Sequence, residues 1–384
     1  MLDRICEEFL EESMELNDVP GLAVGALKGE EEWKGAAGVR DITTKEPLQP
    51  DDIFHCASVS KLFTASAILK LAEAGILDLN DRLADILPDL TIADKRYDQI
   101  RLWQMLSHTA GIGDVTSYEW EKALTGASAL SDYVHSREVT DLPLLWEPGK
   151  GGFRYSNIAY EILGHIISEK SEQYAGEHLS YENFVKRFLL EPAGMRDSTM
   201  LTFERIGVTE GDVCPLITDE IRRRNADAKA GWSPMALPHE KAEDRAIVPV
   251  TYYPYNRSHG PSSTLTSNVS DLMRWMRANM EGFARAEGRT GNDAAQALGD
   301  WSYQHIRYEY AEVPNNREKM GLGWFMRRQN GYQLYGHEGT DDGFRASFWI
   351  CPELKTGIAV LSNLSGAPVK RLNKRLFERM LEAE

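Results

Sequence analysis

The sequence predicts an α/β fold of the α+β type, with one antiparallel sheet flanked by the terminal helices and a second, mainly helical lobe. Strand patterns occur near both ends of the 384 residues, and helical patterns fill the middle. Strands at the two ends of a chain are readily accommodated in one sheet that the terminal helices cover. We therefore expect a sheet domain from 1–75 and 262–384, a mainly helical domain from 76–261, and a binding cleft between them.

The N-terminal part supplies the first helix, a strand pair and a second helix. Residues 1–17 predict a surface helix, and "GLAVGALKG" followed by "EEWKGAAGVRD" predicts two strands joined by a charged turn. Residues 58–74 predict a helix, because apolar residues recur at helical spacing from Leu62 to Ala72. Gly75 is suited to the position just past the end of this helix.

The middle of the chain, from about 80 to 200, predicts helical pieces joined by loops rich in proline, glycine and aspartate. Residues 205–261 are charged and lack a clean period, so we expect an irregular, insertion-like region there. "TSNVSDLMRWMRANME" predicts a helix with a Ser/Asn start. Three apolar runs, "GYQLYGHEG", "GFRASFWIC" and "GIAVLSN", predict strands, and "PVKRLNKRLFERMLEA" predicts a C-terminal helix.

The composition excludes several classes of partner. With 59 acidic and 43 basic residues the net charge is −16, which argues against a nucleic-acid surface and a basic membrane patch. The four cysteines are far apart, so neither a disulfide framework nor a zinc ribbon is expected. The N-terminus lacks a signal-peptide pattern and no apolar run reaches 18 residues, so we expect a cytoplasmic protein without a membrane span. The sequence does not indicate an oligomeric state.

The stretch "FHCASVSKLFTASAIL", residues 54–69, contains two serines followed directly by a lysine. A serine hydroxyl becomes a useful nucleophile when a neighbouring group removes its proton. Residues three apart on a helix share a face, whereas adjacent residues diverge by about 100°, so Lys61 should reach Ser58 and not Ser60. Burial would lower the lysine pKa and make the amine a base. In isolation, the same pattern also fits an ordinary helix start.

Two later stretches carry further polar side chains. "WEPGKGGFRYSNIAYEILG" places Tyr155 and Asn157 between a Pro-Gly loop and a helix. A tyrosine beside a cationic lysine can hold or pass a proton, since the charge stabilises its anionic form. The Asn157 amide offers a donor and an acceptor. "YGHEGTDDGFRASFWICPE" places His337 and Gly339 at a strand end, where glycine allows a substrate to approach the backbone closely.

These motifs, in this order, resemble those of the serine β-lactamase and penicillin-binding-protein superfamily, especially its class C-like branch of esterases, D-peptidases and D-amidases. The family pattern is S-x-x-K, then Y-x-N, then K-T-G or H-x-G. This chain has Ser58-Val-Ser-Lys61, Tyr155-Ser-Asn157 and His337-Glu-Gly339. Flanking segments such as "LSHTAGI" and "SSTLTSNVSDLMRW" also resemble the family. The resemblance covers about 18–380, is weakest over 205–260, and implies a β-lactamase/transpeptidase-like fold.

The resemblance implies a serine hydrolase that forms an acyl-enzyme with a small-molecule ester, amide or D-amino-acid peptide. Ser58 would be the nucleophile, and Lys61 and Tyr155 would share the proton transfers, with the identity of the base left open. Asn157 would orient the lysine or a substrate amide. Backbone N–H groups of Ser58 and Thr340 would form the oxyanion hole. No metal or organic cofactor is implied.

The third motif departs from the family's usual K-T-G. His337 is a weaker, pH-dependent cation than lysine, and it would polarise Tyr155 or bind a substrate oxygen. Glu338 replaces a threonine or serine, and strand alternation can turn it away from the cleft. Arg345 on the next strand is a candidate to restore positive charge at the substrate site, although a solvent-facing arginine is the plainer interpretation. These departures favour ester, amide or D-amino-acid peptide hydrolysis over efficient penicillin hydrolysis.

A literal K-T-G occurs at Lys355-Thr356-Gly357. It follows Pro352-Glu353 and lies between two apolar runs, which predicts a solvated hairpin turn. The third motif is therefore expected on the preceding strand, at His337.

Four alternative functions stay open. The first is a true class C-like β-lactamase, and the second is a homologue that binds peptidoglycan peptides without turnover. A Ser-His-Asp hydrolase is a third, although G-x-S-x-G is absent. A zinc peptidase is the weakest, because His239-Glu240 and His337-Glu338 both lack the second histidine of H-E-x-x-H.

Overall fold

The computed structural model describes residues 1–122, 124–207, 217–227, 232–289, 297–314 and 317–382. The α-helices, in chain order, are α1 (Leu2–Leu16), α2 (Ser60–Glu73), α3 (Leu83–Ile86), α4 (Leu102–Leu106), α5 (Ala129–Val134), α6 (Arg137–Thr140), α7 (Asn157–Ala175), α8 (Tyr181–Val185), α9 (Thr202–Arg205), α10 (Ile217–Asp227), α11 (Gly260–Ser263), α12 (Val269–Ala286), α13 (Asp300–Ile306) and α14 (Val369–Glu382). Short 3-10 segments occur at Ala57–Val59, Lys95–Gln99, Trp120–Lys122 and Arg257–His259, and a π-helical turn at Lys186–Leu190.

The strands are β1 (Gly21–Lys28), β2 (Glu31–Gly38), β3 (Phe54–His55), β4 (His239–Lys241), β5 (Ile247–Pro249), β6 (Thr266–Ser267), β7 (Ala311–Glu312), β8 (Lys319–Met320), β9 (Phe325–Gln329), β10 (Tyr332–Asp341), β11 (Phe344–Cys351) and β12 (Thr356–Ser362). Eight of them form one antiparallel sheet in the order β2-β1-β12-β11-β10-β9-β8-β7. Strands from both ends of the chain therefore meet at β1 and β12, and the predicted fold class is confirmed.

The sheet separates two apolar cores. On one face, side chains of α1 and α14 pack with alternate residues of the central strands, including Val24, Trp349 and Val360. On the other face, α12 lies on β1, β11 and β12, and the larger core continues into the helices of the middle of the chain. Because side chains of a strand alternate between faces, neighbouring residues of β10 and β11 contribute to different cores.

The predicted second helix, 58–74, begins as a 3-10 turn and continues as α2. Gly75 adopts a φ of +71°, the left-handed conformation expected just past a helix end. Asn268 caps α12 by accepting a hydrogen bond from the Asp271 N–H. Residues 352–355 form the turn between β11 and β12, and Lys355 is exposed there with a φ of +48°. The prediction of a solvated turn at the literal K-T-G is correct for Lys355 and wrong for Thr356 and Gly357, which are buried in β12.

The expectation of an irregular region over 205–261 is wrong for two segments. Residues 217–227 form α10, and residues 239–249 form the hairpin of β4 and β5. Helix α10 contains few apolar residues, and its charged side chains form ion pairs three and four residues apart, such as Arg224 with Glu220 at 2.8 Å. An apolar period therefore could not reveal it. The division into domains 1–75 with 262–384 and 76–261 stays a prediction.

Within the described ranges, no helix combines the length and the hydropathy that crossing a bilayer requires.

Candidate active site

The segment before Ser58 fixes where this serine lies. Strand β3 runs into the 3-10 turn at Ala57–Val59, and Ala57 has a φ of +48°, which is unfavourable for a residue with a Cβ. Backbone strain of this kind persists where the surrounding structure enforces it, and it concentrates at functional sites. Ala57 and Val59 are fully buried, whereas Ser58 between them is partly exposed. Ser58 is therefore presented at the surface of an otherwise buried turn.

Ser60 has a different environment from Ser58. Its Oγ donates to the Ala57 carbonyl at 2.7 Å and accepts from the Leu265 N–H at 2.9 Å. The side chain is fully buried and joins the start of α2 to the segment before β6. Ser60 is thus a structural serine, as the helix geometry of the motif predicted.

Lys61 lies at the centre of the site and is completely buried. Its Nζ is 3.1 Å from Ser58 Oγ, 2.6 Å from Asn157 Oδ1 and 2.9 Å from the Ser262 carbonyl oxygen. The S-x-x-K and Y-x-N motifs therefore meet at one nitrogen atom. The predicted contact between Lys61 and Ser58, three residues apart, is present.

Burial lowers the pKa of Lys61 from about 10.5 to about 8. Desolvation is the largest cause, and the carboxyl groups of Glu161, Asp114 and Asp341 oppose it. The Nζ also lies 4.9 Å from the ring centroid of Tyr155, on which a cation can rest. At pH 7 the charged form of Lys61 therefore still predominates about tenfold, and the neutral form becomes equally populated near pH 8.

Tyr155 is hydrogen-bonded to Ser58, and burial raises its pKa well above the ordinary value of 10.0. The sequence led us to expect that the neighbouring lysine stabilises the phenolate. That expectation is wrong, because the desolvation of the buried ring outweighs the favourable interactions. With its pKa raised in this way, the Tyr155 phenol keeps its proton at neutral pH.

Asn157 is the first residue of α7 and joins the lysine to a carboxyl group. Its backbone N–H and its Nδ2 both donate to Asp114 Oδ1, at 2.8 and 2.9 Å. These donations fix the amide so that its Oδ1 faces Lys61. Ser156 caps the helix by accepting from the Ala159 N–H, and this holds the motif at the N-terminus of α7.

His337 is buried and neutral. Its Nδ1 lies 2.7 Å from the Glu338 carbonyl oxygen, to which it donates, and the buried Nε2 has no hydrogen-bond partner among the described residues. Burial, reinforced by Lys61, lowers the pKa of His337 from 6.5 to about 3. The expectation that His337 is a pH-dependent cation is therefore wrong. The ring packs at 4.9 Å from Phe325 and leaves a bare acceptor nitrogen.

Gly339 has a packing role that the sequence did not reveal. A Cβ at this position would collide with the Cys56 carbonyl oxygen and approach Ala346 Cβ at 3.1 Å. The glycine thus lets β10 lie directly against the turn that presents Ser58. We predicted a close approach of a substrate to the Gly339 backbone. In the structure, the group that approaches Gly339 closely is the Cys56 backbone. Thr340 follows with an exposed side chain.

Glu338, Thr340 and Arg345 lie on the opposite side of β10 and β11 from His337 and Gly339. Strand alternation and the pairing of Thr340 with Arg345 produce this separation. Arg345 Nη1 donates to the carbonyl oxygens of Asp341 and Phe344, at 2.9 and 2.8 Å. No described contact joins Arg345 to Lys61 or Ser58, but Arg345 lines a cavity of about 350 Å³ together with Asp341, so its role as a compensating cation stays a prediction.

The sequence analysis missed the acidic groups around Lys61. Glu161 lies one helical turn after Asn157, so the spacing from the second motif could have indicated it. Asp341 lies two residues after Gly339, and its Oδ2 is 2.7 Å from His55 Nε2 and also accepts from Ser263. The sequence gives no comparable signal for Asp114, which reaches the site through a loop.

His108, within "LSHTAGI", positions Tyr155. The two rings stack with centroids 4.4 Å apart, and His108 Nδ1 accepts from the Ser156 N–H at 3.1 Å. Burial lowers the pKa of His108 well below 6.5, so the ring stays neutral. A neutral stacked ring supports the phenol without adding charge.

The chain is similar in sequence to several known proteins. The Beta-lactamase family model matches residues 6–380. Protein flp of Staphylococcus aureus strain MW2 is 26% identical over 374 residues, which cover 96% of this chain and 65% of flp. Penicillin-binding protein 4 of Amycolatopsis lactamdurans is 25% identical over 357 residues, 90% of this chain and 81% of the relative. The chain thus spans slightly less than two thirds of the length of the flp proteins.

Solved structures share the fold. An octameric penicillin-binding protein homologue from Pyrococcus abyssi has a TM-score of 0.76 and 23% identity, covering 98% of this chain and 76% of its own. D-amino acid amidase from Ochrobactrum anthropi SV3, complexed with L-phenylalanine amide, has a TM-score of 0.72 and 19% identity, covering 100% of this chain and 99% of its own.

Proposed function

The chain belongs to the beta-lactamase family of serine hydrolases, and from this premise we propose that it hydrolyses esters, amides or D-amino-acid peptides through an acyl-enzyme on Ser58. The observation that carries the proposal is the convergence of Ser58, Asn157 and the Ser262 carbonyl on Lys61 Nζ. The family motifs imply an acyl transfer that requires no metal or cofactor.

The contacts of Lys61 support its assignment as the base. A neutral amine has two N–H groups and one lone pair. Asn157 Oδ1 and the Ser262 carbonyl oxygen are acceptors and can only receive N–H groups. Both hydrogens of neutral Lys61 are thereby used, and the lone pair is left for the Ser58 hydroxyl at 3.1 Å. With its pKa lowered to about 8, a useful fraction of Lys61 is neutral near physiological pH.

Proton transfers through Lys61 and Tyr155 accompany each step of the proposed reaction. Lys61 removes the Ser58 proton while Oγ attacks the substrate carbonyl, and a tetrahedral oxyanion forms against the N–H groups of Ser58 and Thr340. Tyr155, a neutral phenol bonded to Ser58, relays the proton to the leaving group as its bond to the carbonyl carbon breaks. Water then attacks the carbonyl carbon of the acyl-enzyme. Lys61 and Tyr155 take up the water proton and return a proton to Ser58 Oγ as the bond between Oγ and the acyl group breaks.

The charges around the site favour substrates without a carboxylate near the reacting carbonyl. The carboxyl groups of Asp114, Glu161 and Asp341 all act on Lys61, and His337 is neutral. In the described part of the chain, Lys61 is the one cation that contacts Ser58 or Tyr155. Penicillins carry a carboxylate that these acids would repel, whereas an amino-acid amide with a free ammonium group would be attracted.

A panel of substrates tests the proposal. The purified chain is assayed with p-nitrophenyl butyrate, D-alanine p-nitroanilide, the N-succinyl derivative of that anilide, a D-Ala-D-Ala peptide and a chromogenic cephalosporin. Intact mass is measured after quenching. We expect turnover of the ester or the free-amine anilide, an acyl adduct lost in Ser58→Ala, and slower reaction of the succinylated and cephalosporin substrates.

Other outcomes would contradict parts of the proposal. Efficient cephalosporin turnover would favour a true β-lactamase. A stable adduct without turnover on any substrate would favour a peptide-binding homologue. Activity that Lys61→Ala retains and His337→Ala loses would favour a Ser-His-Asp hydrolase, although His337 has no carboxylate at Nδ1 to orient it.

A further inference from the structure

A cavity lies on the α14 face of the sheet, between the first half of α14 and the ends of β10 and β11. Its volume is about 760 Å³, within the range of small-molecule sites. The residues that line it are Glu338, Gly339, Thr340, Arg345, Ala367, Pro368, Val369, Lys370, Arg371, Lys374, Arg375 and Glu378. We call this cavity the basic pocket. The α14 face of β10 forms one wall, so the strand itself separates the pocket from His337.

The pocket is positively charged in a chain whose net charge is −16. Five of its lining residues are cations and two are acids. Lys370 pairs with Glu318 at 2.6 Å and Arg375 pairs with Glu12 at 2.9 Å. The other three cations, Arg345, Arg371 and Lys374, have no ion pair within the described ranges. This local excess of positive charge sets the pocket apart from the acidic surface of the chain.

The environment of Lys374 shows that the cations are crowded. Burial lowers its pKa, and the nearby Arg327 and Lys370 lower it further, whereas the carboxyl groups of Glu318 and Glu338 oppose this change. Like charges held together in this way are relieved by a bound anion. Among the described residues, Arg371 Nη2 donates to the neutral Asn17 Oδ1, at 2.7 Å.

Two further groups point to an anionic ligand. Helix α14 begins at Val369, in the wall of the pocket, and a helix start carries a positive dipole end, although the Val369 N–H itself donates to the Ala367 carbonyl oxygen at 2.9 Å. Glu338 Oε1 accepts from Trp349 Nε1 at 2.7 Å, and a side-chain hydrogen bond with Ser347 also reaches the Glu338 carboxyl group. Burial raises the pKa of Glu338 to about 7, so near neutrality it can carry a proton for an acceptor oxygen.

We propose that the basic pocket binds a soluble small molecule that carries phosphate or diphosphate groups. Arginine and lysine side chains with a helix N-terminus form the donor set that phosphate oxygens prefer. The cavity lies between a helix and two strands and is open to solvent, and its volume of about 760 Å³ suits a small ligand. Its site is distinct from the reaction centre, although both use β10.

Binding of inorganic pyrophosphate tests the proposal. Isothermal titration of the full chain at low ionic strength should show saturable binding, which weakens as salt is added. The variant Arg371→Gln/Lys374→Gln should bind at least tenfold more weakly. These two side chains form no ion pair in the described structure, so their removal should leave the thermal midpoint nearly unchanged. The matched control is Lys122→Gln/Arg223→Gln, which removes two exposed cations elsewhere and should bind like the parent chain.

Three results would overturn the proposal. They are no saturable binding up to millimolar pyrophosphate, equal affinity in the pocket variant and the control variant, and co-sedimentation with phosphatidylglycerol vesicles in place of pyrophosphate binding. The last result would assign the positive charge to a lipid surface. None of these measurements depends on hydrolysis, so failure here is distinguishable from failure of the proposed acyl transfer.

Discussion

Lys61 Nζ lies 3.1 Å from Ser58 Oγ, and its two other hydrogen-bond partners are both carbonyl oxygens. This arrangement bears on a question that the motif leaves open, namely which group is the base. Neutral Lys61 has no N–H left for Ser58, so the serine must be the donor in that contact. The geometry therefore favours Lys61 over Tyr155 as the base.

Serine-reactive labelling should depend on Ser58 alone. A fluorophosphonate should label the parent chain and Ser60→Ala, whereas Ser58→Ala should show no labelling, by gel fluorescence and intact mass. Ser60→Ala loses hydrogen bonds to Ala57 and Leu265, so we expect its free energy of unfolding to fall by about 1–3 kcal/mol and its thermal midpoint to fall as well. The adduct should be retained. Labelling of Ser58→Ala together with loss of labelling in Ser60→Ala would reverse the assignment.

The rate of acylation should rise with pH through about 8, because Lys61 must lose its proton to act as the base. Glu161 is the strongest electrostatic influence that raises the pKa of Lys61, so Glu161→Gln should move this rise toward acid pH by about one unit. Stopped-flow acylation from pH 5 to 10 measures the shift. Glu169→Gln, an exposed change on the same helix, is the control and should leave the profile in place. An unshifted Glu161→Gln profile would argue against Lys61 as the titrating group.

Glu338 should make stability fall as pH rises. Its pKa is raised from 4.5 to about 7 in the folded chain, so between these values the folded state binds more protons than the unfolded state. The loss of folding stability that this raised pKa causes is small below pH 4.5 and complete above about 7. Glu338→Gln removes it, so we expect this variant to exceed the parent at pH 8 by about 1–3 kcal/mol and to match it near pH 4, in urea unfolding. An equal difference at both pH values would show that the carboxyl group does not titrate there.

Gly339→Ala should uncouple β10 from the nucleophile turn. The added Cβ would collide with the Cys56 carbonyl oxygen, so either the strand or the turn must move. We expect acylation at least 10²-fold slower, because small displacements of reacting groups have large effects, and a loss of about 1–3 kcal/mol in stability. Gly366→Ala is the control, since its Cβ would meet no atom within 4 Å. If Gly339→Ala acylates at the parent rate, the close approach has no role in positioning Ser58.

Local rules recovered much of the fold and the core of the site. The contact of Ser58 with Lys61 follows from helical spacing alone, and the strands β10 to β12 follow from apolar runs. What failed or stayed open depended on burial or register. The charge state of His337 and of Tyr155 is set by desolvation, which a motif does not display. The position of Arg345 depends on which residue of β10 it pairs with, and a pattern of alternation does not reveal the register between two strands.

The pairing of β1 with β12 has a consequence for the order in which the chain can fold. Ser362 Oγ donates to the Gly21 carbonyl oxygen, 341 residues away, and β1 lies between β2 and β12 in the sheet. During synthesis, β1 can pair with β2 at once, but its other edge has no partner until residue 362 has emerged. Contacts of such long sequence separation slow folding and leave an unpaired strand edge exposed. The nascent chain therefore carries an open apolar edge for most of its synthesis, and closing the sheet is among its last steps.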